Sequence, residues 1–256
     1  MDLPTPEEVA LPSRRLSLAL PLCATAMFLS ALILFAIQPM FTKMVLPLLG
    51  GTPAVWNTAV MFFQGVLLAG YLYAHLLAQV RGLGKQALIH IAVLAAGLFF
   101  LPVQVGLAWS PTASAHPVLW LIILLAVSIG VPFFAISATA PLLQKWFSHS
   151  GHRHASDPYF LYAASNLGGM IALLIYPVLV EPQFGLTLQS RLWTAGYALL
   201  AVLIALYAGG LWKTQRRQAT GEFADIAASA DAITLSDPFT RVTWAMRGRW
   251  VALAFV

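Results

Sequence analysis

The sequence predicts an all-α, polytopic membrane helix bundle with six transmembrane helices and the start of a seventh. Three observations predict it. First, hydrophobic residues make up 60% of the 256 residues and charged residues only 9%, whereas a soluble domain carries about 25% charged residues. Mean hydropathy is correspondingly high, at +0.81. Second, the apolar residues gather into long runs, each near the ~20 residues that cross a hydrocarbon core of about 30 Å. Third, Lys and Arg crowd into every other loop.

Residues 1–15 are polar and Pro-rich, with Glu7, Glu8, Arg14 and Arg15, and read as a cytoplasmic tail. The six-helix domain is expected over 16–212. Residues 16–38 form the first apolar run. It continues well past the Ala24-Thr25-Ala26 string that resembles a signal-peptide cleavage site, so an uncleaved helix is expected. Pro39 and Pro47 are expected to interrupt it, with Gly50-Gly51-Thr52-Pro53 making the turn. The second helix is predicted over 55–79, the third over 86–108 and the fourth over 118–147. The fourth exceeds the bilayer core, and Pro132 and Pro141 are its natural kink points. After a His-rich loop, the fifth runs over 159–180 and the sixth over 191–212. Residues 213–248 read as a polar cytoplasmic linker, and 249–256 as a seventh helix cut short.

With the N-terminus in the cytoplasm, twelve cations fall inside and only Lys43 and Arg191 outside, which accounts for all 14 Lys and Arg. That is the positive-inside pattern. It predicts a multi-pass protein of a bacterial inner membrane whose surroundings are the lipid bilayer. The net charge of +5 reflects this topology. No basic patch is interleaved with readout residues, so nucleic acid is not an expected partner. The lone cysteine, Cys23, sits in an apolar run and reads as a small apolar filler.

Two helices carry polar faces. At about 100° per residue, Asn57, Gln64, Tyr71 and His75 fall within about 40° of one another and span about 27 Å of helix. Such a stripe is expected to face a helix bundle or a wet cavity, since hydrocarbon leaves its hydrogen-bonding groups unmet. Tyr162, Asn166, Gly169 and Tyr176 fall within about 80° on the fifth helix. Ala164/Gly168 and Ser165/Gly169 are small-xxx-small pairs that permit close helix approach. Each face has two readings: a path for a polar substrate, or interhelical hydrogen bonding. Lys43 and Glu181 sit at run ends on the outer side, either as a pair at an outer mouth or as separate interface anchors.

His90 and Gln104 are expected to be satisfied inside the bundle. His149, His152 and His154 have spacings open to a metal, but nothing fixes a geometry, and a solvated loop is expected. No metal and no cofactor are expected. No nucleophile and base share a plausible pocket, so no catalytic residue is assigned.

Six spans with short loops followed by a long cytoplasmic segment is the layout of one half of a major-facilitator (MFS) transporter. Several strings carry a more specific resemblance. They are Gln38-Pro39, Gly50-Gly51 with Pro53 and Val55-Trp56, Phe62-Phe63-Gln64, and Gly70-Tyr71 with Tyr73-Ala74-His75. Further along come Asp157-Pro158-Tyr159-Phe160-Leu161-Tyr162-Ala163-Ala164-Ser165-Asn166 with Gly168, and Tyr176-Pro177 with Leu179 and Glu181-Pro182. From about residue 16 onward the chain resembles the membrane portion of the bacterial fused MFS/spermidine synthase family. The resemblance implies a soluble aminopropyltransferase-like domain after the helices. This chain lacks the Gly-rich strand-to-helix turn of such a domain, so the transferase activity does not carry over. A fragment, split gene or truncated relative is expected, whose partners are the missing C-terminal helices or a spermidine-synthase-like domain. The expected function is a transporter-like membrane domain for a small polar or cationic solute. The alternative is a non-transporting anchor for a synthase domain, or a truncated piece of such a protein.

Overall fold

The structure is a computed structural model. It describes the backbone of residues 16–105, 116–149 and 159–229, with side chains over 20–105, 116–149 and 159–213. The tail 1–15, His152, His154, the linker beyond 229 and the expected seventh helix lie outside the described residues. The chain divides into two compact units, Met1–Thr214 and Gln215–Val256.

The described residues fold as helices α1 (Leu16–Leu49), α2 (Pro53–Leu77), α3 (Leu83–Leu98), α4 (Pro117–Leu125), α5 (Val131–Ser148), α6 (Tyr159–Ile175), α7 (Glu181–Gln183) and α8 (Leu186–Ser229). π-helical turns at Ala126–Gly130 and Tyr176–Val180 join α4 to α5 and α6 to α7. Among the described residues five stretches are long and apolar enough to cross a membrane: Leu20–Leu49, Pro53–Leu77, Pro117–Ser148, Tyr159–Gln183 and Leu186–Lys213. The sixth apolar helix, α3, has 16 residues, about 24 Å of rise against a core of about 30 Å. The chain is thus an all-helical membrane bundle.

Several boundaries correct the expectations above. Helix α1 does not break at Pro39 or Pro47 but runs to Leu49. Each proline removes one backbone donor, yet packing of α1 against α6, α5 and α2 holds the helix, and nearby side chains bond other carbonyls of the same stretch. Gln38 Nε2 donates to Leu34 O at 3.4 Å, and Thr42 Oγ1 donates to Gln38 O at 2.8 Å. Gly50, at φ +73°, ends the helix in the left-handed region open to glycine. The expected kink near Pro132 takes the form of the π turn just before it. The proline ring crowds the carbonyl four residues back, and the widened turn relieves the clash. The second π turn, Tyr176–Val180, holds Pro177 near its start.

Helix α3 stops at Leu98, not near 108. Pro102 disfavours helical backbone at Leu101, and Gln104 lies exposed in the following segment, not inside the bundle. Helix α8 starts at Leu186 and continues to Ser229, so the first part of the expected linker is helical. Residues 214–229 hold four Ala, two Gln and two Arg and no proline, which favours helix.

Packing centres on α1 and α5. Helix α1 packs against α6, α5 and α2, while α5 also packs against α2 and α3. The α1–α6 contact is close because Gly168 has no side chain. A Cβ there would overlap the backbone carbonyl of Phe28, and one at Gly169 would press on the Phe35 ring at 2.9 Å. Helix α8 is tied in by hydrogen bonds. Trp193 Nε1 donates to Ile33 O on α1 at 2.7 Å, and Tyr197 Oη donates to Leu94 O on α3 at 2.9 Å. Cys23 is fully buried as a free thiol, in keeping with an apolar filler.

Candidate functional site

Helix α2 is two-faced. Val55, Thr58, Ala59, Phe63, Gly70, Ala74 and Leu77 are buried against the bundle. Their mean direction lies about 140° from the stripe of Asn57, Gln64, Tyr71 and His75 at about 100° per residue. All four stripe residues are exposed, Tyr71 by 50%. They share one face, as their spacing predicts. That face points out of the described bundle, and these side chains make no hydrogen bond among the described residues. The physical reason is packing. The small and apolar residues fill the contact with α5, where Gly70 abuts the Ser137 side chain, and the polar stripe is left on the other side.

The polar face of α6 is divided. Tyr162 and Asn166 are exposed, whereas Gly169 is buried beside Phe35 and Tyr176 is 3% exposed. Tyr176 Oη donates to Gln189 Oε1 at 2.9 Å. Gln189 Nε2 in turn donates to Phe184 O at 2.6 Å and Val180 O at 3.5 Å. Tyr176 is therefore an interhelical hydrogen-bonding residue, separate from the exposed Tyr162 and Asn166. Periodicity alone did not reveal Gln189. Its only signal is a polar residue in the first turn of an apolar helix.

Lys43 and Glu181 are brought together. Their side chains form an ion pair between α1 and α7, each a little over one third exposed. This is the one pair of sequence-chosen charges that the fold joins directly.

A further polar cluster ties α2, α3 and α5. Trp146 Nε1 donates to Gln86 Oε1 at 3.0 Å, and Gln86 Nε2 donates to Val80 O at 2.7 Å. Lys145 Nζ donates to Ala78 O at 2.8 Å. His90 is fully buried, as expected. Its Nε2 lies 3.2 Å from Thr139 Oγ1, and that hydroxyl donates to Ala135 O at 3.1 Å. Nε2 is therefore the protonated nitrogen. His90 Nδ1 and the Tyr73 hydroxyl are buried without a hydrogen-bond partner among the described residues. The rings of Tyr73 and His90 lie 6.1 Å apart.

Among the described residues no group of three or more His, Cys, Asp or Glu is placed to hold a metal ion. His149 bonds locally, to Ser148 and to Lys145 O. Comparison with protein-family models, with curated proteins and with solved structures returns no match.

Proposed function

We propose that this bundle is a transporter-like membrane domain handling a small polar or cationic solute. The observation that carries the reading is the exposed stripe Asn57–Gln64–Tyr71–His75 on a helix long enough to span the bilayer. Amide, phenol and imidazole groups left against acyl chains lose their hydrogen bonds to water. A wet path, or a second helical bundle facing the stripe across such a path, restores them. One half of a major-facilitator transporter has this layout, and its inner face is closed by the other half. Tyr162 and Asn166 contribute a second polar edge on α6, and Lys43–Glu181 stands at the outer mouth. Polyamines are the solute class suggested by the resemblance to the fused MFS/spermidine synthase family. Residue 1 is assigned to the cytoplasm of a bacterial inner membrane, and no catalytic step is assigned to the chain.

The test is flux in proteoliposomes with radiolabelled spermidine as probe. Uptake above that of empty vesicles is expected, with loss in Gln64→Leu, His75→Phe and Asn166→Leu. Unchanged flux in all three variants counts against the reading.

A second reading is a membrane anchor for a spermidine-synthase-like domain. It is favoured by the continuation of α8 as helix past the last span to Ser229. Capture of a soluble aminopropyltransferase through residues 214–248, without flux, supports it.

A further inference from the structure

A cleft of about 340 Å³ lies between α1, α6 and α8, open along one side. It is at the small end of the roughly 300–1,000 Å³ usual for ligand pockets. On α1 its wall runs from Leu29 to Met40, a rise of about 16 Å over eleven residues. The facing walls run from Ile171 to Val180 and from Gln189 to Gly196.

Three features identify the occupant. The first is chemistry. The donors that line the cleft are already occupied: Tyr176 Oη on Gln189, Gln189 Nε2 on Phe184 O and Val180 O, and Trp193 Nε1 on Ile33 O. A polar solute entering here would lose water and find no donor in return. The occupant is therefore apolar, and this cleft is not the solute path proposed above. The second is width. About 340 Å³ over about 16 Å leaves a mean cross-section near 21 Å², against about 80 Å² for a helix 10 Å across. One hydrocarbon chain fits, and a helix does not. The third is depth. One end of the cleft, at Met40 and Val180, lies within one turn of the Lys43–Glu181 ion pair. Charged groups at span ends seek the headgroup level. From there the cleft runs inward about 16 Å, close to the depth of one leaflet, which is half of about 30 Å.

We propose that the cleft binds a single acyl chain of a phospholipid from the leaflet in which Lys43 and Glu181 lie. The chain completes the packing of α1, α6 and α8, covering Leu32, Ala36 and Ile171, cleft-lining residues that the helices alone leave half-buried. The proposal does not depend on whether the protein transports.

The experiment uses the full chain in phosphatidylcholine vesicles doped with a phosphatidylcholine bearing a diazirine in one acyl chain. After irradiation, adducts are mapped by mass spectrometry. Adducts are expected on Leu32 and Ile171, which line the cleft and are half-buried, as well as on the openly exposed Leu88 and Leu206. Ala172→Phe fills the cleft from α6 and should abolish the Leu32 and Ile171 adducts while sparing those on Leu88 and Leu206. Ala36→Phe fills it from α1 and should do the same, so misfolding of one variant leaves the other as a test. Absence of label at Leu32 and Ile171 overturns the proposal, including the case in which a second copy covers the cleft. Label there that survives in a folded cleft-filling variant also overturns it.

Discussion

Tyr176 on the turn after α6 donates its hydroxyl hydrogen to Gln189 Oε1 on α8 at 2.9 Å, and both side chains are almost fully buried. The pair closes one end of the α6–α8 contact. Because Gln189 also holds two backbone carbonyls, its amide is the hub and Tyr176 the spoke.

Gln189→Leu should therefore cost more than Tyr176→Phe. The first leaves a buried phenol without an acceptor and Phe184 O without its Gln189 donor, while Val180 O keeps the Phe184 N–H, at about 1–3 kcal/mol for each buried group left unmet. The second removes one hydrogen bond of about 1 kcal/mol. The double variant should be less destabilised than the sum of the two, since each single change removes the same bond. Thermal unfolding in one detergent measures all three, and strict additivity would show that the bond contributes nothing.

Gly168→Leu should destabilise the bundle by about 1–3 kcal/mol through overpacking, because the added side chain meets the Phe28 carbonyl. Gly65→Ala on α2 is the control. Nothing lies within 4 Å of its added Cβ, and alanine is favoured over glycine in a helix by about 1 kcal/mol. Equal losses at the two sites would show that the α1–α6 approach is not a stability determinant.

The Lys43–Glu181 pair should contribute little to stability. Both side chains are over one third exposed, and exposed pairs give about 0–1 kcal/mol after screening. Lys43→Met should lower the unfolding temperature only slightly. If the pair controls the outer mouth, Lys43→Glu should change spermidine flux, and adding Glu181→Lys should restore it. Restoration of flux without a matching change in stability separates gating from anchoring.

Water at the α2 stripe is directly measurable. In a Cys23→Ala background, cysteines at Asn57, Gln64, Tyr71 and His75 should react with a membrane-impermeant thiol reagent in proteoliposomes. Cysteines at Leu88 and Leu199, equally exposed but apolar positions, should not. Silence at all four stripe positions would place that face against lipid or a dry partner.

Some of this protein was legible residue by residue. The composition pointed to a membrane, and Lys and Arg fall mostly in alternate stretches between the apolar runs. The spacing of Asn57, Gln64, Tyr71 and His75 placed them on one face because helical periodicity is a local property of the backbone. Ala164/Gly168 and Ser165/Gly169 marked a close helix contact, and Lys43 and Glu181 stood at the ends of their runs.

Other features needed the packed structure. Prolines 39 and 47 read as breaks because proline removes a donor, yet α1 continues, with Gln38 and Thr42 bonding nearby carbonyls and its neighbours holding it in place. Periodicity fixes an angle about a helix's own axis but not the rotation of that helix against its neighbours. That rotation follows from which surfaces interlock, and Gly70 against Ser137 turned the α2 stripe outward. The same interlocking turned Tyr176 inward to Gln189, away from Tyr162 and Asn166, and left the acyl-wide cleft beside Trp193. The sequence by itself determined the apolar runs and the shared face of the α2 stripe, because each is written within a single helix. Tertiary structure alone decided what that face meets, because a contact belongs to two segments at once.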